Sequence, residues 1–327
     1  MNLGKLITFE GGECAGKGTH IKLLKNVLEK KGYTVNIKHF EPGSTPKSEI
    51  IRAVIKNKFD TDYGLPRSVI EKFDLKNNKE YFQEDELSEI SREYLEDALK
   101  KSNNILKNQV IEFLLDENYG LFCFDRIVGG LQFFREPSKI LFKEYFKKEE
   151  LNSKAQAALF FAARNILYDN HILKSLKNND FTIIDRSIDS TIVYQGYALQ
   201  NPETPNYEIQ KIQQSLREEN LKATRGITPH LTLFLDIPIN EIFKRLEITP
   251  RGDDADYFDG KGKKFHERVR QGYLNEVKYY ESLPKNNPQH ARIKIVDTNK
   301  ETNATHKDIT ELVTTYFNLW KSSAVER

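Results

Sequence analysis

Gly11-Gly12-Glu13-Cys14-Ala15-Gly16-Lys17-Gly18-Thr19 follows directly on the apolar run Leu6-Ile7-Thr8-Phe9 and leads into Ile21, Leu23, Leu24, Val27 and Leu28 at helical spacing. A strand that stops at a glycine-rich turn and opens a helix leaves backbone N–H groups converging on one point, which suits a polyphosphate. Lys17 adds a mobile positive charge for the β- and γ-phosphates. The segment reads as a phosphate-binding loop. The position after the lysine normally carries the hydroxyl that ligates magnesium, but here it is Gly18, and the hydroxyl arrives one residue late at Thr19.

The pattern extends outward from this loop. Gly32, after Lys30-Lys31, reads as a helix C-cap, and Tyr33 to Ile37 as a second strand. Ser44-Thr45-Pro46 then starts a short amphipathic helix carrying Ile50, Ile51, Val54 and Ile55. The alternation resumes with a helix near Ala155 to Leu173, the strand Phe181 to Asp185 and further helices to about Arg217. The strand Leu231 to Leu235, a helix from Asn240 to Leu246 and a helix from about Gly262 to Tyr280 come next, before the strand Ile293 to Val296 and a helix from Ile309 to Trp320. Five strands linked by helical crossovers predict an α/β fold: a doubly wound five-stranded parallel sheet flanked by helices.

Residues 58–150 fit this rhythm poorly and read as a largely helical insertion, so the core is expected to comprise 1–57 and 151–327. The first part of the insertion is dense in Lys, Glu and Asp. Its apolar residues Ile90, Tyr94, Leu95, Leu99 and Ile105 recur at helical spacing, which favours solvated helices. Tyr119 to Asp125 reads as an additional strand, and Ile127 to Phe134 is unusually apolar. Packing on the core and packing on a second subunit both remain open.

Fifty basic residues against forty-eight acidic ones leave a net charge of +2, so a basic binding site must be local rather than a general nucleic-acid-binding surface. The two cysteines, Cys14 and Cys123, lie far apart, which argues for a reducing compartment and against a disulfide framework. No apolar stretch approaches the roughly 18 residues of a membrane span, and the first residues enter a strand rather than a secretory signal. A cytoplasmic location is expected.

Asp185-Arg186 ends a predicted central strand, at the sheet edge where open α/β folds bind ligands. Phosphoryl transfer needs cations on the phosphates and a carboxylate to organise magnesium or the acceptor, and this pair supplies both. Glu41-Pro42-Gly43-Ser44-Thr45 follows the second strand as a fixed turn, and Phe134-Arg135-Glu136-Pro137-Ser138 forms a partial second copy. Phe160 and Arg164 share one helix face. From spacing alone, a core phenylalanine beside a surface arginine is the favoured reading, while stacking on a planar base is the sharper one. Arg251, the aspartates at 253, 254, 256 and 259, and the basic residues Lys261, Lys263, Lys264 and Arg268 form a charged stretch; a lid over the donor phosphates is expected at about 246–264.

Taken in order, these segments resemble the thymidylate kinase family. The resemblance runs through Phe9 to Thr19, Glu41 to Thr45, Leu159 to Arg164, Asp185-Arg186 with Ser190-Thr191 and Tyr194-Gln195, Pro229 to Asp236, and Phe265 to Tyr273. It is also similar to nucleoside monophosphate kinases such as adenylate kinase in its Gly-Lys-Gly-Thr. The resemblance implies transfer of the ATP γ-phosphate to dTMP, giving dTDP and ADP with magnesium. Lys17 and the loop residues Gly11, Gly12, Glu13, Cys14, Ala15, Gly16, Gly18 and Thr19 would hold ATP, with Glu13 also near the acceptor. Phe160 would stack on thymine and Arg164 bond its edge, reversing the spacing-only preference. Asp185 would organise metal and acceptor phosphate, with Thr19 a second metal candidate. Arg186 and Arg52 would bind phosphate, Tyr194 would sit near the sugar, and Glu41, Thr191 and Gln195 would complete the acceptor set. Some members carry a catalytic arginine inside the loop; Cys14-Ala15 stands there in this chain, so Arg251 from the lid takes that role.

Phe40 occupies the place of an arginine that many bacterial members have before Glu-Pro, and Arg135 offers that residue in the second copy. Donation of Arg135 into the acceptor site and coincidence both stand. The resemblance also implies a homodimer, with no nucleic-acid or membrane partner. Two rival functions are a deoxynucleoside kinase, because Asp185-Arg186-Ser187 is similar to that family's acidic-Arg-Ser motif, and a nucleotide-binding regulatory protein acting through the insertion.

Overall fold

Residues 3–38, 48, 51, 52, 55, 87–101, 151–248, 258 and 261–319 are described by a computed structural model of the chain. Strand β1 (Lys5–Glu10) is buried at every position after Lys5, as a near-continuous apolar run demands of a strand covered on both faces. Helix α1 (Lys17–Lys30) and strand β2 (Val35–Lys38) follow. β1 pairs in parallel with β3 (Phe181–Asp185) on one side and β4 (Leu231–Asp236) on the other. With β5 (Ile293–Asp297) the five-stranded sheet runs β2-β3-β1-β4-β5, all parallel. The register sets Phe9 against Asp185 and Glu10 against Phe234, so the loop after β1 and the end of β3 open onto one edge.

All five predicted strands are present. β2 begins two residues later than the apolar pattern suggested, because Gly32 takes φ 89° past the end of α1 and Thr34 is tied by its N–H to the Asp180 carboxylate at 2.7 Å. Ser48, Ile51, Arg52 and Ile55 are helical, in keeping with the short helix expected there. Alternation along the strands divides the core. Ile7, Phe9, Leu231, Leu233 and Leu235 pack with Ile21, Leu24 and Leu28 of α1 and with Ile309 and Val313 of a C-terminal helix, while Leu6 and Ile184 meet Leu167, Tyr168 and Leu176 on the opposite face.

Among the described residues, the further helices in chain order are α2 (Glu89–Lys101), α3 (Ser153–Leu167), α4 (Leu173–Asn178), α5 (Ile188–Val193), α6 (Asn206–Ala223), α7 (Ile239–Ile248), α8 (Lys263–Ser282) and α9 (Thr302–Tyr316). The single helix expected from Ala155 to Leu173 is instead α3, one wide π-type turn over Tyr168–Ile172, and α4. A second wide turn, Tyr194–Ala198, continues α5. Such turns shift side chains out of helical register and recur at functional sites. α9 starts before the expected Ile309 because its first turns are polar and carry no apolar periodicity.

α2 corrects the expectation of solvated helices in the insertion. It is amphipathic: Ser91, Tyr94, Leu95 and Ala98 are buried, and the helix lies against α3. This part of the insertion therefore packs on the core. Ile105, the strand expected at Tyr119 to Asp125, Ile127 to Phe134 and Arg135 lie outside the described residues, as do Phe40, Glu41 to Thr45 and Arg251. Among the described residues, no helix is long and apolar enough to cross a membrane.

Candidate active site

The turn between β1 and α1 depends on two glycines. Gly16 takes φ 84° as N-cap of α1, and at Gly11, φ 142°, an added Cβ would stand 2.6 Å from the Leu235 carbonyl oxygen. Cys14 also takes a positive φ, 54°. No side chain caps α1 and its first turn has no acidic residue, so its leading N–H groups are directed at an incoming anion. The Lys17 ammonium donates to the Gly12 carbonyl at 2.9 Å and to that of Gly11 at 3.3 Å, which keeps the charge over the loop. Ala15 is buried, Gly18 lies in open space and Thr19 is exposed.

Across the loop stands the end of β3. Arg186 takes φ 66°, and its N–H donates to the Phe9 carbonyl at 2.8 Å. Its guanidinium pairs with Glu13 at 2.6 Å, donates to the Gly11 carbonyl at 2.9 Å and lies 5.3 Å over the Tyr194 ring. Burial opposes the charge on Arg186, but Tyr194 and Glu13 more than offset it, so its pKa lies well above the ordinary value. Asp185, its neighbour, is 6% exposed, and its Oδ1 is buried with no hydrogen-bond partner among the described residues. A buried carboxylate oxygen with no hydrogen bond is able to take a cation or a donor.

Glu10, the last residue of β1, was missed as a site residue. It is fully buried and accepts from Ser187 N–H at 2.7 Å, Ser190 Oγ at 2.6 Å and Tyr273 Oη at 2.8 Å. Burial, then the charge of Asp189, raise its pKa from 4.5 to about 7, against the opposing pull of Arg186 and the hydroxyl donors. Glu10 thereby fixes the turn that carries Arg186. The sequence signal was a carboxylate closing an otherwise apolar strand immediately before the loop.

On the acceptor side, Phe160 is partly buried on α3, and Arg164, one turn on, is 1% exposed. Its guanidinium donates to the Ser187 carbonyl at 3.1 Å, to Thr191 Oγ1 at 3.0 Å and to the Asn220 side-chain oxygen. The spacing-only reading of a surface arginine is thus corrected: it is held in a polar frame built by α3, α5 and α6. Asn220 gave no sequence signal. Tyr194 approaches Glu13 at 3.5 Å and packs edge-on against Phe258 and Phe265. Gln195 is buried and donates to Gln156 Oε1 at 3.2 Å. Arg52 is half-buried on its helical segment.

Two further arginines frame the loop. Arg245 of α7 joins the Cys14 carbonyl, at 3.0 Å, to the Thr298 carbonyl after β5, at 2.8 Å. Arg270 of α8 grips Asp236 with bonds of 2.6 and 2.8 Å. Behind the loop, His20 stacks on His306 with centroids 6.5 Å apart; burial, helped by His306 and Arg245, lowers the His20 pKa from 6.5 to about 4. Among the described residues no three His, Cys, Asp or Glu side chains form a metal cage. Asp185 fits the sparser pattern of magnesium, which is held by one or two carboxylates together with substrate phosphates and water.

A phosphate loop on the middle strand of a parallel β2-β3-β1-β4-β5 sheet, faced by an Asp-Arg pair and an aromatic-lined helix face, defines a P-loop nucleoside monophosphate kinase. The family profile described as thymidylate kinase matches residues 9–65 and 135–309. A thymidylate kinase of Caldanaerobacter subterraneus subsp. tengcongensis is 30% identical over 313 residues, covering 96% of each chain. One from Pediococcus pentosaceus is 31% identical over 164 residues, 50% of this chain and 69% of that protein. The chain belongs to the thymidylate kinase family.

Proposed function

We infer that the protein transfers the γ-phosphate of ATP to dTMP, giving dTDP and ADP. The observation that carries this reading is the convergence of Lys17, Glu13, Arg186 and the unpartnered Asp185 oxygen at one sheet edge, in a chain of this family. The transfer asks little covalent chemistry of the protein, so positioning and charge do the work. The loop amides and Lys17 hold the donor phosphates, while Arg186, fixed by Glu10 and Glu13, meets the acceptor phosphate. Magnesium, held by Asp185 and the nucleotide's oxygens with Thr19 as a further candidate, would neutralise developing charge between the phosphates. Phe160 stacks on thymine and Arg164 addresses its edge. Tyr194 lies by the sugar, Arg52 and Glu41 serve the phosphate side, and Thr191 and Gln195 support the wall. Arg251 from the lid supplies the cation that Cys14-Ala15 does not.

The expected core of 1–57 and 151–327 around an insertion at 58–150 is part of this reading; the family match supports an interruption, breaking between residues 65 and 135, while it runs on both sides into the expected insertion. A cytoplasmic homodimer is part of the same reading, supported by the family's habit and the sparse cysteines. An ADP-release assay over a panel of nucleoside monophosphates, with thymidine alongside, tests the reaction. Turnover is expected with dTMP and not with thymidine. Turnover with thymidine alone would make it a deoxynucleoside kinase, and ATP binding without transfer to any acceptor would favour a regulatory role.

A further inference from the structure

α2 lies in the stretch that the family profile skips, yet it makes specific polar contacts behind the acceptor site. It runs antiparallel to α3: Ser88 and Ser91 at its start meet Asn165 near the end of α3, and the Lys101 carbonyl at its finish accepts from Asn152, the N-cap of α3, at 2.6 Å. Asn165 adjoins Arg164. Its side-chain oxygen accepts from Ser88 Oγ at 2.5 Å and Ser91 Oγ at 2.6 Å, and its amide donates to the Ala223 carbonyl of α6 at 3.0 Å. Tyr94 reaches the same helix from α2, its hydroxyl lying 2.9 Å from both the carbonyl and the carboxylate of Glu219. Glu219 adjoins Asn220, the partner of the Arg164 guanidinium.

We propose that α2 is a positioning clamp for base recognition, locking α3 and α6 together so that Arg164 is held in one orientation. The proposal rests on the reading that Arg164 addresses the acceptor base. The frame around Arg164 is built by α3, α5 and α6, and a slip of α3 against α6 changes the angle at which the guanidinium meets a base edge. Leu95 and Ala98, both fully buried, supply the apolar contact, but such contact alone resists sliding poorly. The hydroxyls of Ser88, Ser91 and Tyr94 set the register: the two serines lose the buried Asn165 if the helices move, and Tyr94 loses the half-buried Glu219. Thymine presents a carbonyl acceptor where cytosine presents an amino donor, so a fixed guanidinium separates the two.

The test compares wild type, Tyr94→Phe and Ser88→Ala/Ser91→Ala in steady-state assays with dTMP and dCMP, alongside thermal unfolding. The clamp predicts a dTMP KM raised about tenfold and a smaller dTMP-to-dCMP ratio of kcat/KM, with the ATP KM unchanged. Ser91→Thr, which keeps the hydroxyl, should retain the wild-type ratio. Lower melting temperatures with an unchanged dTMP KM would overturn the proposal and leave α2 a merely structural helix. Wild-type turnover is measured first: a preference for another monophosphate rejects the dTMP assignment, and the clamp is then read with that acceptor.

Discussion

Lys17 and Asp185 approach the sheet edge from the start of α1 and the end of β3, and the loss of each removes a different thing. Lys17 holds a positive charge over the loop carbonyls, where the proposed reaction puts the donor phosphates. Lys17→Ala is expected to lower kcat roughly 10²- to 10³-fold, the scale of losing one preorganised electrostatic contact. Asp185→Asn keeps the shape of the buried side chain but removes the charge on its unpartnered oxygen. A similar fall in kcat is expected, with a rise in the magnesium concentration giving half-maximal rate. Magnesium titrations at fixed ATP check this, and an unshifted midpoint for Asp185→Asn would remove Asp185 from the metal. Glu10 is the opposite kind of residue, a carboxylate spent on holding the backbone of Ser187 in place and the hydroxyls beside it. A carboxylate closing an apolar strand marks the position but not the role, because Ser187 and Tyr273 are brought to Glu10 only by the sheet and by α8.

Among the elements, α8 and the wide turn after α5 approach each other through Gly272. A Cβ there would stand 2.9 Å from Val193 Cγ1 and 3.2 Å from Tyr197 Cδ1. Valine is too stiff to yield cheaply, so Gly272→Ala should push α8 outward and loosen the neighbouring Tyr273 from Glu10. A loss of about 1–3 kcal/mol is expected in urea unfolding. An unchanged midpoint would mean that the helix slides without cost. The strands were legible because each is a short apolar run bounded by turn residues, and Phe181–Asp185 is recovered residue for residue. Helix interruptions were not, since Tyr168–Ile172 and Tyr194–Ala198 keep helical composition and differ only in how the backbone is wound. The loop after β1 and Asp185-Arg186 were legible as motifs, and the structure brings them together at one sheet edge. The frame around Arg164 was not, because Asn220, Ser187 and Thr191 are assembled by packing.

At the scale of the whole molecule, His20 links stability to pH. Its pKa is lowered to about 4, so between about pH 6.5 and 4 the unfolded chain takes up a proton that the folded chain refuses. Its contribution is fully present above pH 6.5 and is lost as pH falls through that window. Glu10, raised to about 7, acts in the reverse sense between pH 4.5 and 7, so the two must be separated by substitution. Urea unfolding from pH 7 to 4 is expected to show a shallower loss in His20→Gln than in wild type, by up to about 1.4 kcal/mol per pH unit. Parallel curves would show that His20 is protonated in the folded state.

The strand order carries one more consequence. β1 precedes every other strand in the chain, yet its two neighbours are β3 and β4, beginning at Phe181 and Leu231. During synthesis, β1 emerges about 170 residues ahead of β3 and still further ahead of β4, so its two sides stay uncovered until those strands follow. At about 5–20 residues per second that delay lasts on the order of ten seconds or more, during which Leu6, Ile7 and Phe9 are open to chaperones and to neighbouring nascent chains. The strand that carries the glycine-rich loop is thus made long before its neighbours, and slowing translation beyond β2 would lengthen the interval in which this chain aggregates.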